Sequence, residues 1–183
     1  MDNLTIWDNI IDDRFILDLD EESNHYSWSL NNNANRHSFP YNKKGSHLIW
    51  GSGFPLDKVP PNIFNLGNFL LTEIKNVLHL DYSIHKIQLN GQSMGQNGTV
   101  HIDSLVNSNE RTLMVFINYK WKKEWGGEFQ LLKEYSDKSE IIKSIEYISG
   151  RVLLFDGSIP HRGLGPLVPN VFRKSLIYRL SKK

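Results

Sequence analysis

At 183 residues the chain is long enough to bury a sizeable core within one domain. Twenty-one Lys and Arg balance 20 Asp and Glu, so the net charge is only +1, and there is no basic stripe of the kind that binds nucleic acid. Cysteine is absent, which excludes disulfides, a thiolate zinc site and a cysteine nucleophile.

The opening residues, MDNLTIWDNIIDDRF, lack a charged-then-apolar signal pattern. No apolar run approaches the roughly 20 residues that span a bilayer. A cytoplasmic protein without membrane contact is expected. Residues 1–60 read as irregular strands and loops, with short apolar patches such as RFILDL and HLIWGSGF set among Asn, Ser, Gly and Pro. NNNAN at 31–35 is polar and loop-like. The clearest single element is a helix over 61–79. It opens on a proline pair, and Ile63, Leu66, Leu70, Ile74, Val77 and Leu78 recur at three- and four-residue spacing, giving one apolar stripe that needs a sheet or helix to cover it.

After residue 82 the period changes. SIHKIQLN, TVHIDS, RTLMVFIN, GEFQLL, SIEYIS, RVLLFD and VFRKSLIYRL are short β-type segments separated by turn residues, without long helices between them. That pattern predicts an antiparallel sandwich or barrel rather than a parallel α/β sheet. In the last segment Val171, Arg173, Ser175 and Ile177 share one face, while Phe172, Lys174, Leu176, Tyr178 and Leu180 share the other, because side chains alternate along a strand. The second face is mostly apolar and suits the helix stripe, which leaves Arg173 and Ser175 pointing inward.

GTVHIDS holds His101 and Asp103 one residue apart. With seven histidines and eleven aspartates, about 0.4 His-x-Asp triplets are expected by chance, so the pair needs context. If the segment is extended, both side chains lie on one face, about 7 Å apart at the backbone, within reach of one metal ion. His161, beyond the apolar strand in RVLLFDGSIPHRG, is the candidate third ligand. Two histidines and a carboxylate on one face of a metal leave three positions open, the arrangement of non-haem Fe(II) oxygenases. Read singly, His101 and Asp103 suit a turn, His161 a turn after Pro160, and Arg173 a strand-end ion pair. Asp156 reads as a turn residue, Gly126 and Gly127 as a tight turn or bulge, and Trp121 and Trp125 as packing or mouth residues. Ser104 and Asn118 are candidates to brace the ligands. His25, His37, His47, His79 and His85 have no partner pattern.

His-x-Asp at 101–103, WGGEF at 125–129, LLFDGSIPHRG at 153–163 and FRKSLIYRL at 172–180, in this order, resemble the Fe(II)- and 2-oxoglutarate-dependent dioxygenases, within them the prolyl-4-hydroxylase-like branch, over about residues 84–181. The resemblance implies a mainly β fold with a flanking helix, a double-stranded β-helix (jelly-roll or cupin-like barrel). It implies one domain over 1–183 with its core at about 82–181. It also implies Fe(II) bound by His101, Asp103 and His161, with 2-oxoglutarate and O₂ as cosubstrates. In the family a basic residue on the last strand binds the far carboxylate of 2-oxoglutarate. Arg173, with Ser175 in an Arg-x-Ser pattern, occupies that place, whereas the prolyl-hydroxylase branch commonly has lysine; Lys174 falls on the other face. Where the branch tends to carry a tyrosine, this chain has QLNGQSMGQNG, so polar contacts there fall to Gln88, Asn90 or Gln92, with Asn90 assigned to the cosubstrate. Asp103 argues against the halogenase variants, whose carboxylate is replaced by a small residue.

The implied activity is hydroxylation of a C–H bond, on a peptidyl proline, another amino-acid residue or a small molecule, with release of succinate and CO₂. Substrate-covering elements are expected in loop 104–110 and segment 31–58. Two alternatives stay open at this stage: a cupin-like metalloenzyme that does not use 2-oxoglutarate, and a non-enzymatic β-sandwich binding module.

Overall fold

The structure is a computed structural model that describes residues 4–32, 48–136 and 138–183. His37, His47, most of NNNAN and residues 33–47 of the expected covering segment lie outside the described residues.

Among the described residues ten strands and two α-helices follow in chain order: β1 (Leu4–Trp7), α1 (Asp13–Ser23), β2 (Ser29–Asn32), β3 (Ile49–Phe54), α2 (Pro61–Leu78), β4 (Tyr82–Gln92), β5 (Glu110–Phe116), β6 (Phe129–Leu132), β7 (Ile141–Ile145), β8 (Val152–Asp156), β9 (His161–Gly163) and β10 (Arg173–Lys182). All pairing is antiparallel. The larger sheet has the order β1-β8-β5-β10-β4-β3-β2, and a smaller one runs β7-β6-β9. Among the described residues no helix is long and apolar enough to cross a membrane.

The alternation along β10 sorts the molecule into three layers. Leu176, Tyr178 and Leu180 face the helices and share a core with Ile16 and Leu19 of α1 and with Ile63, Leu66, Leu70 and Ile74 of α2. Ile177, on the opposite face, packs with Met114, Phe116, Leu153 and Phe155 of its own sheet and with Phe129, Leu131 and Ile145 of the smaller sheet. Each fully buried aliphatic side chain contributes about 1.5–3 kcal/mol, so both faces of the large sheet are held firmly. The helix packs closely: a methyl group at Gly67 would meet the Tyr178 ring at 2.8 Å, and the Tyr178 hydroxyl donates to Ile63 O at 2.7 Å. The predicted α2 is therefore present and covers the predicted face. Its stripe runs on to Leu78, which packs half-buried against the same core, while Val77 falls outside it at 56% exposed.

Several expectations need correction. Within 1–60, residues 4–32 and 48–60 are more regular than the sequence suggested. RFILDL lies within α1, whose start is fixed by the Asp12 carboxylate accepting from Arg14 N at 2.8 Å and by Asp13 in the first turn. Lys174 closes against this helix, donating to Asp20 O, Ser23 Oγ and Asn24 Oδ1. TVHIDS is not a ladder strand. It makes one bridge, His101 to His161, and then Asp103 N and Ser104 N both turn to Gly157 O. The strand sought at SIEYIS lies earlier, at Ile141–Ile145, because the chain turns at Gly150 (φ +71°), with Arg151 N donating to Ile148 O.

Candidate active site

Between the two sheets lies a cavity of about 780 Å³ with its open mouth. Its wall is the inward face of the β4–β10 pair, whose register sets Arg173 opposite Gln92, Ser175 opposite Asn90, Ile177 opposite Gln88 and Arg179 opposite Lys86. All eight side chains line the cavity, together with Thr99, His101, Asp103 and His161.

His101 and His161 meet because their backbones pair reciprocally, His101 N to His161 O at 3.0 Å and His161 N to His101 O at 2.9 Å. Asp103 joins them: Oδ1 is 3.4 Å from His101 Nε2 and Oδ2 is 3.5 Å from His161 Nε2. One donor atom from each residue lies within 4.8 Å of the others, so the sequence-predicted trio converges. The Nδ1 atoms fix the tautomers. His101 Nδ1 donates to Thr99 O at 2.8 Å and His161 Nδ1 to Ile159 O at 2.7 Å, leaving both Nε2 lone pairs free for a metal. Asp103 Oδ2 accepts from Thr112 Oγ at 2.6 Å and is ion-paired to Arg179.

Burial keeps these imidazoles neutral. His161 is lowered from its ordinary 6.5 to about 4 by burial. His101 is held well below 6.5, first by burial and then by repulsion from His161. In the unfolded chain both groups take up protons near pH 6.5, but the folded metal-free protein resists until a lower pH. Its stability therefore falls as pH drops from 6.5 towards 4 and is level above about 7.5. His161 alone accounts for about 3 kcal/mol across that window. Urea unfolding of metal-stripped protein at pH 7.5 and 5 measures this; midpoints that coincide contradict it.

Arg173 is 1% exposed and carries no carboxylate partner among the described residues. Its Nε donates to Gly127 O at 2.8 Å and Nη1 to Gln92 Oε1 at 2.9 Å; Ser175 Oγ lies 3.5 Å from Nη1. The guanidinium sits over the Phe116 and Tyr147 rings, 5.3 and 5.0 Å from their centroids. Burial lowers its pKa to about 10. Nη2 is buried without a hydrogen-bond partner, as is Oγ1 of Thr99 in the same cavity lining. A buried cation with a spare donor fits an incoming carboxylate. Gln92 is wholly committed here, its Nε2 donating to Gln96 O and Gly163 O, and further along the same face Gln88 Nε2 donates to Asn90 Oδ1 at 3.2 Å.

Other sequence candidates have structural duties. Trp121 packs on Tyr147 and Trp125 and donates to Gly126 O, away from the cavity lining. Gly126 (φ +67°) and Gly127 (φ +83°) form a turn, and the second aims its carbonyl at Arg173. Asp156 accepts from Ser158 in a tight turn. Asn118 braces β10, accepting from Lys174 N and Tyr147 Oη, and does not touch His101, Asp103 or His161. Sequence reasoning missed Arg179, Thr112, Thr99 and Lys86. Arg179 was available two steps further along the Arg173–Ser175–Ile177 face.

Residues 84–177 match the 2OG-Fe(II) oxygenase superfamily. The chain belongs to this family. As an oxygenase of this kind it uses Fe(II), 2-oxoglutarate and O₂, and the convergent donors and the buried Arg173 with its unused Nη2 are chemically suited to the first two. The match removes the two alternatives left open by the sequence. No curated protein matches the chain in sequence. A prolyl-4-hydroxylase from Pseudomonas putida superposes with TM-score 0.65 at 14% identity, covering 99% of this chain and 93% of its own. A viral collagen prolyl hydroxylase from Paramecium bursaria Chlorella virus-1, solved with 2OG, gives 0.64 at 13% identity, with 98% and 96% covered. The 2-oxoglutarate-dependent epimerase SnoN of nogalamycin biosynthesis gives 0.72 at 8% identity, with 98% and 78% covered. These likenesses establish the fold of the 2OG oxygenase as a double-stranded β-helix.

Proposed function

We propose that this oxygenase hydroxylates a C–H bond of an amino-acid-type substrate, the class to which a peptidyl proline belongs, with His101, Asp103 and His161 holding Fe(II) and Arg173 anchoring 2-oxoglutarate. The observation that carries the reading is the pairing of a converged His-Asp-His donor set with a buried arginine that keeps an unused Nη2. Iron, cosubstrate and O₂ supply the oxidising chemistry, in which 2-oxoglutarate and O₂ become succinate and CO₂ and the second oxygen atom converts C–H to C–OH.

The chain's own residues supply geometry and charge. Thr99 O and Ile159 O orient the two imidazoles. Thr112 and Arg179 fix the Asp103 carboxylate. Gln92, Gly127 O and the two aromatic faces hold the guanidinium so that Nη2 points at its ligand, with Thr99, Ser175 and Asn90 offering further polar contacts. Met114, Phe129 and Ile177 supply apolar contacts in the same lining.

Calorimetric titration of the metal-stripped protein is expected to show one Mn(II) per chain, followed by one 2-oxoglutarate that binds only to the metal-loaded protein. With Fe(II) and air, 2-oxoglutarate is converted to succinate. If the Mn(II)-loaded protein takes up no 2-oxoglutarate, the proposed assignment of these residues is wrong.

A further inference from the structure

The inward face of the β4–β10 pair carries more positive charge than the metal and cosubstrate use. Lys86 and Arg179 stand directly opposite one another in register, and both line the cavity towards its mouth. Like charges in directly opposed positions repel. The Lys86 ammonium is held below its ordinary value, first by partial burial and then by Arg179. Arg179 has partners, with Nη1 shared between Asp103 and Thr112 Oγ. Lys86 has neither a hydrogen bond nor an ion pair among the described residues.

Charge balance gives the sign of what is missing. Among the described residues the cavity lining holds three cations, Lys86, Arg173 and Arg179, against one carboxylate, Asp103. A divalent metal and a dianionic cosubstrate cancel each other, so the loaded cavity keeps two positive charges in excess. One of the three cations, Lys86, is an exposed side chain at the rim of this lining and has no acceptor among the described residues. Residues 33–47, between β2 and β3, contain Arg36, Lys43 and Lys44 and no Asp or Glu, so they bring no countercharge. A single free ammonium matches a monoanion, and Gln88 and Asn90 continue the polar wall inward from it along β4.

We propose that the substrate carries a carboxylate and that Lys86, backed by Arg179, receives it at the cavity mouth. This inference rests on the oxygenase reading above and deepens it: the substrate is a free amino acid or a peptide that ends in its own carboxylate, not the interior of a neutral peptide.

The test uses full-length protein loaded with Mn(II) and saturating 2-oxoglutarate, with melting temperature as the readout, since a ligand that binds only the native state raises it. The probes are pairs that differ in one charge. One arm compares free L-amino acids with their amides, proline first; the other compares glycyl-L-proline with its amide. Inorganic phosphate is the third probe. At least one acid is expected to stabilise the protein, with its amide needing about tenfold more for the same shift. The arm that responds tells a free acid from a peptide end. Lys86→Gln is expected to erase the preference and Lys86→Arg to keep it. The proposal is overturned if amides match their acids, if the preference survives Lys86→Gln, if no acid stabilises the protein, or if phosphate does so better than every acid. Melts run before any probe is added separate the two readings. A wild type that binds no 2-oxoglutarate sinks the oxygenase assignment and this proposal together, whereas acids and amides acting alike on a loaded protein sink this proposal alone.

Discussion

His101→Ala is expected to lose Mn(II) affinity by more than about 100-fold and to form no succinate above background. Removing a residue that merely orients a metal ligand typically costs 10–100-fold in affinity or activity, and removing the ligand itself costs more. His101 suits the test because it is less buried than His161, which packs against Phe129 and Phe155 and whose truncation would open a hole in the core. Thr112→Val provides the graded comparison. It deletes the hydroxyl that donates to Asp103 Oδ2 at 2.6 Å while keeping the side-chain shape, so its loss should fall in the 10–100-fold range. Titration with Mn(II) separates the two variants, and circular dichroism checks that both fold. Equal affinities for wild type and His101→Ala would remove the trio from the metal-site assignment.

What the sequence made legible follows from the period of each element. α2 and β10 are long, so their 3.6- and two-residue periods stand out, and the inward placement of Arg173 and Ser175 follows from parity alone. The same parity reaches Arg179, which a reading that stops at Ile177 leaves out. α1 is harder because its apolar positions are few. Ile16 and Leu19 are flanked by four acidic residues between 12 and 20, and the signal that identifies the helix is the Asp12 cap rather than the stripe. β9 is three residues long and has no period to read. The trio is an instructive case. His101 and Asp103 do converge, but not because 99–104 forms a strand; the segment is placed by its bridge to His161 and by Gly157 O, partners more than 50 positions away. Tertiary hydrogen bonds of that kind leave no local trace in composition, whereas the residue types themselves, two imidazoles and a carboxylate in order, do. The free ammonium of Lys86 is visible only when the β4–β10 register is known.

Arg173→Met should separate stability from binding in opposite directions. The wild-type guanidinium is fully buried, has no ion pair among the described residues, feels Glu128 only through space, and has one donor unused, an arrangement that costs folding free energy in the empty protein. Methionine fills similar volume against Phe116 and Tyr147 without the charge, though it strands the Gln92 and Gly127 carbonyl oxygens that Arg173 now satisfies. Those lost bonds offset part of the gain, so the ligand-free variant is expected to be as stable as wild type or more so. Binding moves the other way. Two charge-assisted hydrogen bonds to a carboxylate are together worth about 3–6 kcal/mol, so 2-oxoglutarate affinity should fall by roughly 10²- to 10⁴-fold. Mn(II) affinity should stay the same, because none of the three donors touches Arg173. Melting curves with and without 2-oxoglutarate on the Mn(II)-loaded proteins read both effects, since ligand at 100 times Kd stabilises by about 2.7 kcal/mol and that increment should vanish in the variant. Arg173→Lys keeps the charge but loses the planar fork, so its affinity should lie between the two. A strongly destabilised Arg173→Met that still binds 2-oxoglutarate would instead make the buried arginine a structural strut, held for Gly127 and Gln92 rather than for a ligand.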